Sequence, residues 1–257
     1  MRIVSICPSN TEILYYLGLG QHVVGLDDHS DWPPEWQDLP KVGPDLSIDL
    51  DKVEALRPDL VIASLSVPGM EKNIAALEER QIPHLVLNPS RIHEIPDDIR
   101  AVGRATGCEE RAEALARDFI EKIDEMRLFT SQFAHQPKLY WEWWPDPIYT
   151  PGRENWLTDV SEIAGARNVF ADYPVANVKA SRDMVKERDP DHICIVWCGI
   201  ELKRIKSKMI TERIEWQEMA AIKTGKVHLL EEGLYCRPSP RILDGLTKLI
   251  QLIHPEK

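Results

Sequence analysis

The sequence predicts an α/β fold of two Rossmann-like lobes, each built on a parallel sheet, joined by one long helix. Three observations support this prediction: strand-like and helix-like segments alternate, one long helical segment lies near the middle of the chain, and the two halves echo each other. Alternation of this kind is typical of parallel sheets flanked by helices. The 257 residues are enough for two modest domains with cores of their own.

Seven short apolar segments are predicted to be strands, and most of the intervals between them carry helical patterns. The segments are 2–7, 23–27, 60–64, 84–88, 139–144, 192–197 and 227–231. Strands separated by helices are expected to be parallel, because a parallel connection needs a crossover.

The joining helix is predicted in the proline-free segment 97–136. Its apolar residues recur at three- and four-residue spacing, at Ala112, Leu115, Ala116, Phe119, Ile123 and Met126. This spacing places them on one helix face, and the span 109–127 would be about 28 Å long. We therefore predict an N-terminal lobe over 1–104, a connecting helix over 105–134 and a C-terminal lobe over 135–257.

Two sequence echoes indicate that the lobes are related. Residues 51–62 and 183–194 each predict a helix, a Pro-Asp turn and a buried strand. Residues 11–22 and 158–169 each predict a helix that a glycine ends. The two echoes have different offsets, which indicates an insertion between the halves.

Composition excludes several classes of protein. The net charge of -11 disfavours nucleic-acid binding, and no run of 18 apolar residues predicts a membrane span. The chain shows neither a signal peptide nor a cysteine behind an apolar leader, and its five scattered cysteines suit a reducing compartment. The sequence is therefore interpreted as cytoplasmic, or as extracytoplasmic if a leader has been removed.

The spacing of histidines and cysteines predicts no metal site and no resident cofactor. The eight histidines never fall within four residues of one another, and C-x-x-C is absent. No P-loop, G-x-S-x-G or G-x-G-x-x-G motif occurs, which weakens an enzymatic interpretation. An enzyme would need a paired acid and base, and the candidates for these roles are Asp28, Asp31 and Glu142.

Two segments that follow predicted strands are candidate ligand contacts. After the first strand, Ser9 and Glu12 fit a capping box, which places Ser9 and Asn10 where open α/β sheets bind ligands. Residues 140–144 read YWEWW, and strand alternation assigns Trp141 and Trp143 to one face. Full burial of both faces is not expected, since a buried Glu142 would need a partner. Such aromatics suit a large planar or macrocyclic ligand.

Several segments together resemble class III solute-binding proteins, the family of vitamin B12-binding and ferric siderophore-binding components of ABC importers. The resemblance runs the length of the chain in order, through ICPSNTE at 6–12, HSDWPP at 29–34, YTPG at 149–152, IAGARNVF at 163–170 and RPSPR at 237–241. It implies a ligand cleft between the lobes, one rigid helix joining them, and binding without catalysis. The implied ligand is cobalamin or another metal chelate.

The resemblance also implies individual pocket residues. His29 stands in place of a pocket tyrosine, Trp143 in place of a phenylalanine, and Arg237 keeps a pocket arginine. Asp45 and Ser64 stand where the B12-binding group has tryptophans. Other aromatic residues could offset that loss, namely Trp144, Trp197 and Tyr235. The imidazole of His29 could coordinate an open axial position of the metal.

Two alternatives to cobalamin binding stay open. One is a ferric siderophore or haem ligand on the same fold, and the other is a cytoplasmic enzyme acting on a cofactor precursor. The family docks an ABC permease through one glutamate on each lobe, which implies Glu71 and Glu201. We expect a monomer that binds a small molecule and no nucleic acid.

Overall fold

The computed structural model describes residues 1–255, so Glu256 and Lys257 lie outside the described part of the chain. The chain divides into two compact units. The first comprises Met1–Pro89 and His93–Ile120, and the second comprises Ser90–Ile92 and the residues from Glu121 onward. The division therefore falls within one long helix.

The helices and strands alternate as the sequence predicts. The strands are β1 (Ile3–Ser5), β2 (Val23–Leu26), β3 (Leu60–Ser64), β4 (His84–Leu87), β5 (Lys138–Glu142), β6 (Trp144–Pro145), β7 (Ile148–Pro151), β8 (Arg167–Asn168), β9 (Asn177–Ala180), β10 (His192–Ile195) and β11 (Val227–Leu229). The α-helices are α1 (Pro8–Tyr16), α2 (Leu50–Ala55), α3 (Glu71–Glu79), α4 (Ile95–Thr106), α5 (Glu109–Thr130), α6 (Trp156–Ile163), α7 (Arg182–Arg188), α8 (Lys208–Thr211), α9 (Ala220–Lys223), α10 (Glu232–Tyr235) and α11 (Ile242–Ile253).

The first unit is built on a parallel sheet with strand order β2-β1-β3-β4. Its short central strands are almost wholly apolar, as strands covered on both faces must be. The side chains of Val4, Val53, Val61 and Leu77 are buried together in one core cluster. Helix α2 begins at a side-chain cap, because the Asp49 carboxylate accepts hydrogen bonds from the next backbone N–H groups.

The second unit repeats this plan. Its parallel sheet has the order β11-β10-β5-β8. If β5, β8, β10 and β11 are counted as its first to fourth strands and the sheet is read from β8, the order is 2-1-3-4, as in the first sheet. The α2–β3 and α7–β10 pairs are the first echo seen in the sequence, and the α1–β2 and α6–β8 pairs are the second. The predicted relation between the two halves is therefore confirmed. A small antiparallel sheet, β6-β7-β9, was not predicted.

The repeat extends to backbone conformation. Gly18 and Gly165 follow α1 and α6 with φ of 64° and 70°, a left-handed conformation that glycine adopts without steric cost. Arg57 and Asp189 follow α2 and α7 with φ of 47° and 45°. Both residues precede the proline of the Pro-Asp turn, so the same strained connection occurs once in each unit.

The predicted capping box at the first helix is wrong. Helix α1 begins at Pro8, its N-cap residue is Cys7, and no side chain caps it. Proline is well suited to this first helical position, because its fixed φ is helical and it has no N–H to satisfy. Ser9 and Glu12 therefore lie inside the helix, and both are buried.

The long helix forms where the apolar spacing predicts it. Helix α5 runs from Glu109 to Thr130, and Ala112, Ala116, Phe119 and Ile123 on the predicted face are buried. The three-part division into 1–104, 105–134 and 135–257 stays a prediction, since the helix contributes residues to both compact units. The short segment 90–92 is held in the second unit by Arg91 and the Ile92 N–H, which both hydrogen-bond the Asp159 carboxylate.

A pair of histidines, one buried and one half-buried, lies in the second sheet. His192 on β10 and His228 on β11 are joined by a 2.9 Å Nδ1–Nε2 hydrogen bond. Burial lowers the pKa of His192 to about 4, with further lowering by His228 and Lys226 and an opposing effect of Asp191. Burial and Lys226 also lower the pKa of His228. Both imidazoles are therefore neutral in the folded protein at neutral pH.

This pair predicts acid-sensitive stability. A histidine whose folded-state pKa is lowered contributes stability that is present above the unfolded pKa of about 6.5 and is lost as pH falls towards the folded value. Between pH 6.5 and 4, the free energy of unfolding of wild type should fall by on the order of 2–3 kcal/mol more than that of the double variant His192→Gln/His228→Gln. Urea unfolding across this pH range measures it, with the exposed His135→Gln as control. Parallel stability curves for wild type and the double variant would contradict the prediction.

Candidate ligand-binding site

Each parallel sheet has one edge at which the carboxyl ends of its strands meet, and the predicted site residues follow these ends. In the first unit, Ser9 and Asn10 follow β1, and both are buried. The Asn10 amide donates to the Ile62 carbonyl at 3.2 Å, and the Ser9 hydroxyl donates to the Asn10 side chain at 3.4 Å. The Asn10 hydrogen bond connects the start of α1 to β3, and the Ser9 hydroxyl supports the Asn10 side chain.

His29 lies in a turn after β2 that a buried aspartate organises. The Asp27 carboxylate accepts from the backbone N–H of His29 at 2.8 Å and from Ser30, whose hydroxyl also bonds Thr11 at 2.7 Å. Burial raises the pKa of Asp27 to about 6, against the lowering effect of these hydrogen bonds. The turn holds the His29 imidazole about half exposed, at 49%.

The positions that lack the tryptophans of the B12-binding group are polar in this chain. The Asp45 carboxylate lies 3.8 Å from Nε2 of His29, so these two implied pocket residues are neighbours. Ser64, the last residue of β3, is buried and hydrogen-bonded to Ser66 at 2.9 Å. Asp28 and Asp31 are exposed. The carboxyl edge of the first sheet is therefore polar and acidic.

In the second unit, the tandem tryptophans follow β5. The Trp143 ring is half-buried and packs edge-on against Trp156 with centroids 5.6 Å apart. The Trp144 ring is 41% exposed, and its Nε1 donates to the Asp146 carbonyl. Both rings retain accessible surface for an apolar ligand.

The expectation that the segment 140–144 would not be fully buried on both faces is confirmed at its end, where Trp143 is half-buried and Trp144 is exposed, but Glu142 itself is buried. Tyr140, Trp141 and Glu142 are all inaccessible to solvent. The Glu142 carboxylate accepts two hydrogen bonds from the Arg213 guanidinium, at 2.6 and 2.8 Å. A buried charge is tolerated when it is paired and hydrogen-bonded, and Arg213 is the partner that sequence alone could not supply.

Trp197 and Tyr235 are part of the core of the second unit. The Trp197 ring is buried, and its Nε1 donates to Glu142 at 3.1 Å. The Tyr235 hydroxyl donates to the Gly245 carbonyl at 2.9 Å. Arg237 is buried and pairs with Glu232 at 2.9 Å. In this structure these three side chains make internal contacts, so their contact with a ligand stays a prediction.

Two residues that position the site were missed. Asp27 organises the His29 turn, and the signal is a turn-forming aspartate with a serine three residues later. Trp156 begins α6 behind the Asn155 cap, and its Nε1 donates to the Tyr235 carbonyl at 2.8 Å. The Trp156 indole therefore links the ring of Trp143 to the backbone of Tyr235.

The two glutamates implied in docking occupy equivalent positions. Glu71 begins α3 after the third strand of the first sheet, and Glu201 follows β10, the third strand of the second sheet. Both are exposed. The Glu71 carboxylate accepts from the Gly69 N–H at 2.8 Å. Glu201 pairs with Lys203 and Arg204, at 2.8 and 3.1 Å.

Among residues 1–255, no group of three or more His, Cys, Asp or Glu side chains is arranged to hold a metal ion. No helix in that part of the chain combines the length and the apolar character needed to cross a membrane.

Two α/β units with matching parallel sheets are the plan of two-lobed solute-binding proteins, and comparison with known sequences gives the same class. The chain belongs to the periplasmic binding protein family, since the family's sequence profile matches residues 3–233. It is 30% identical over 260 aligned positions to YvrC of Bacillus subtilis, an ABC transporter substrate-binding lipoprotein, and the alignment covers 99% of this chain and 80% of YvrC.

Two solved structures share the fold of this chain. The periplasmic vitamin B12-binding protein of Vibrio cholerae is 25% identical with a TM-score of 0.81, covering 100% of this chain and 98% of that one. A periplasmic haem-binding protein of Roseiflexus is 24% identical with a TM-score of 0.86, covering 99% and 98%. The second likeness concerns the fold alone.

Family membership sets the general activity. The chain is a substrate-binding protein of an ABC transporter, which implies a ligand and a permease partner. Proteins of this family bind their solutes without transforming them. The alternative of an enzyme that uses Asp28, Asp31 and Glu142 is therefore not supported, and the ion pair with Arg213 already engages the Glu142 carboxylate.

Proposed function

We propose that this protein binds a corrinoid of the cobalamin type and delivers it to an ABC permease. The observation that carries the proposal is the pair of indole rings after β5, where Trp143 is half-buried and Trp144 exposed. Flat aromatic surface of this kind suits a large macrocycle. The likeness to the B12-binding protein of Vibrio cholerae supports the same ligand class.

Charge favours a corrinoid over an anionic chelate. The carboxyl edge of the first sheet carries Asp28, Asp31 and Asp45, and the charge of Arg237 in the second unit is offset by Glu232 at 2.9 Å. The carboxylates of a ligand such as haem would be repelled by the negative charges at the carboxyl edge of the first sheet. The amide side chains of a corrinoid carry no charge and can hydrogen-bond to carboxylates.

We propose an extracytoplasmic location. The relative from Bacillus subtilis is a lipoprotein, and the relative from Vibrio cholerae is periplasmic. This argues for the extracytoplasmic alternative and against the cytoplasmic interpretation of the cysteines and the N-terminus.

One set of titrations tests the ligand. Purified protein is titrated with cyanocobalamin, haemin and a ferric siderophore while the fluorescence of its eight tryptophans is followed. The proposal expects saturable quenching by cyanocobalamin at the lowest concentration and a pink complex after gel filtration. Tighter binding of either iron ligand, or no cobalamin in the eluted protein, would reject the corrinoid.

Haem is the second candidate ligand, and His29 is the residue that favours it. Its imidazole is about half exposed at the first sheet edge, 3.8 Å from Asp45. Neutral imidazole is a common ligand of iron in proteins. A Soret band that shifts on haem binding to wild type and not to His29→Ala would favour this candidate.

Trp143→Ala should weaken cobalamin binding about tenfold to a hundredfold, because stacking on an aromatic ring is worth roughly 1–3 kcal/mol. Calorimetric titration measures the Kd without relying on tryptophan emission. Trp36→Ala, which removes another half-buried indole ring in the first unit, is the matched control and should leave the Kd unchanged. Equal affinity of Trp143→Ala and wild type would remove Trp143 from the site.

A further inference from the structure

Two cysteines far apart in sequence meet in the second unit. Cys198 follows β10, and its backbone N–H donates to the Trp143 carbonyl at 3.1 Å. Cys236 follows α10, and its thiol donates to the Val196 carbonyl at 3.2 Å. Val196 is two residues before Cys198, so the Cys236 thiol lies next to the segment that carries Cys198, and Cys198 raises the pKa of the Cys236 thiol. Both residues are half-buried, so neither is sealed in the core.

The other three thiols have different surroundings. Cys194 is buried in the sheet within β10. Cys7 is buried beside the Ser9 hydroxyl at 3.3 Å, and Cys108 contacts the Thr106 hydroxyl at 3.2 Å. A hydroxyl neighbour cannot take part in a disulfide, whereas the Cys236 thiol has a second cysteine, Cys198, as its neighbour.

We propose that Cys198 and Cys236 form a reversible disulfide within the second unit. The oxidant is a low-molecular-weight disulfide. The Cys198 thiolate attacks one sulfur of the oxidant, whose S–S bond breaks and releases one thiol. The Cys236 thiolate then attacks the Cys198 sulfur and expels the second thiol. Two protein thiols are oxidised, one external disulfide is reduced, and the two protons leave on the released thiols.

The closing step should depend on pH. Burial, followed by the hydrogen bond with Cys198, raises the pKa of the Cys236 thiol well above its ordinary value. The thiolate is the nucleophile in disulfide exchange, so a small thiolate fraction at neutral pH slows the second attack. Ring closure should accelerate as pH rises from 7 to 9.

The bond would connect two functional segments. Cys198 begins the loop that carries Glu201, and Cys236 precedes Arg237. A disulfide would tie the loop with the candidate docking glutamate to the turn with the candidate ligand arginine. The pairing rests on contacts within the second unit, so it does not depend on which ligand the protein binds.

Oxidation of the full-length protein tests the pairing. After incubation with oxidised glutathione, alkylation in denaturant should label three cysteines instead of the five of the reduced protein, and peptide mapping should recover a Cys198–Cys236 cross-link. The Tm should rise by about 5–10 °C and return on reduction. Cys108→Ser, which removes another half-buried cysteine, should behave as wild type.

Single-cysteine variants separate the two steps. Cys236→Ser should accumulate one glutathione adduct on Cys198, because the closing thiol is missing. Cys198→Ser and Cys236→Ser should both lose the oxidant-dependent rise in Tm. Alkylation of all five cysteines after oxidation of wild type, or a cross-link that joins other cysteines, would overturn the proposal.

Discussion

Replacing Arg213 with leucine is expected to destabilise the second unit by about 3–5 kcal/mol, the usual cost of leaving a buried charge without its partner. The Arg213 guanidinium donates two hydrogen bonds to Glu142, which is 0% exposed and also accepts from Tyr140 and Trp197. Without the arginine, the buried carboxylate loses its cationic partner. Urea denaturation of wild type and Arg213→Leu measures the difference.

A surface pair gives the matched control. Arg182 and Glu215 form an ion pair at 3.2 Å in which both side chains are more than a third exposed. Arg182→Leu should cost under about 1 kcal/mol. Adding Glu142→Gln to Arg213→Leu should recover part of the loss, because a neutral amide can still accept from Trp197. A cost for Arg213→Leu as small as that of the control would show that the pair does not hold the core.

Reversing both candidate docking charges, in Glu71→Lys/Glu201→Lys, should abolish ligand-dependent stimulation of the permease ATPase and leave ligand affinity unchanged. Both carboxylates are exposed, at equivalent positions after the third strand of each sheet. A single exposed ion pair is worth only about 0–1 kcal/mol. Charges of the wrong sign at two contacts cost far more, since like charges across an interface are strongly unfavourable.

The control for docking reverses two exposed glutamates elsewhere, in Glu79→Lys/Glu212→Lys. This variant has the same net charge as the docking variant and should stimulate the permease like wild type. Equal stimulation by both double variants would reject Glu71 and Glu201 as docking residues. A salt titration adds information, because Lys203 and Arg204 already pair with Glu201 and must be displaced by any partner.

The sequence predicts the fold well because its signals are local. All seven predicted strands occur, and they are shorter than predicted mainly at their carboxyl ends, where polar residues such as Asp27 and Asn88 leave the sheet. Helix α5 forms over the predicted apolar spacing. The antiparallel β6-β7-β9 sheet was missed because its strands are only two to four residues long, so pairing with neighbours defines them.

The site was predicted less completely because its geometry depends on distant partners. Strand alternation could not reveal that Arg213, 71 residues along the chain, neutralises Glu142. Nor could it reveal that Trp197 donates to that same carboxylate. Trp143 was predicted because the carboxyl ends of parallel strands are a general location for ligands, whereas His29 was implied by the family resemblance. The ligand contacts of both residues stay predictions.

The repeated strand order has a consequence for synthesis and unfolding. Every strand of the first sheet lies within the first 87 residues, and the second sheet begins only at Lys138. The first sheet can therefore assemble on the ribosome before any strand of the second has been translated. Heating should then produce two unfolding transitions, one for each unit. The Arg213→Leu substitution should lower the temperature of only the transition of the second unit, which is synthesised later.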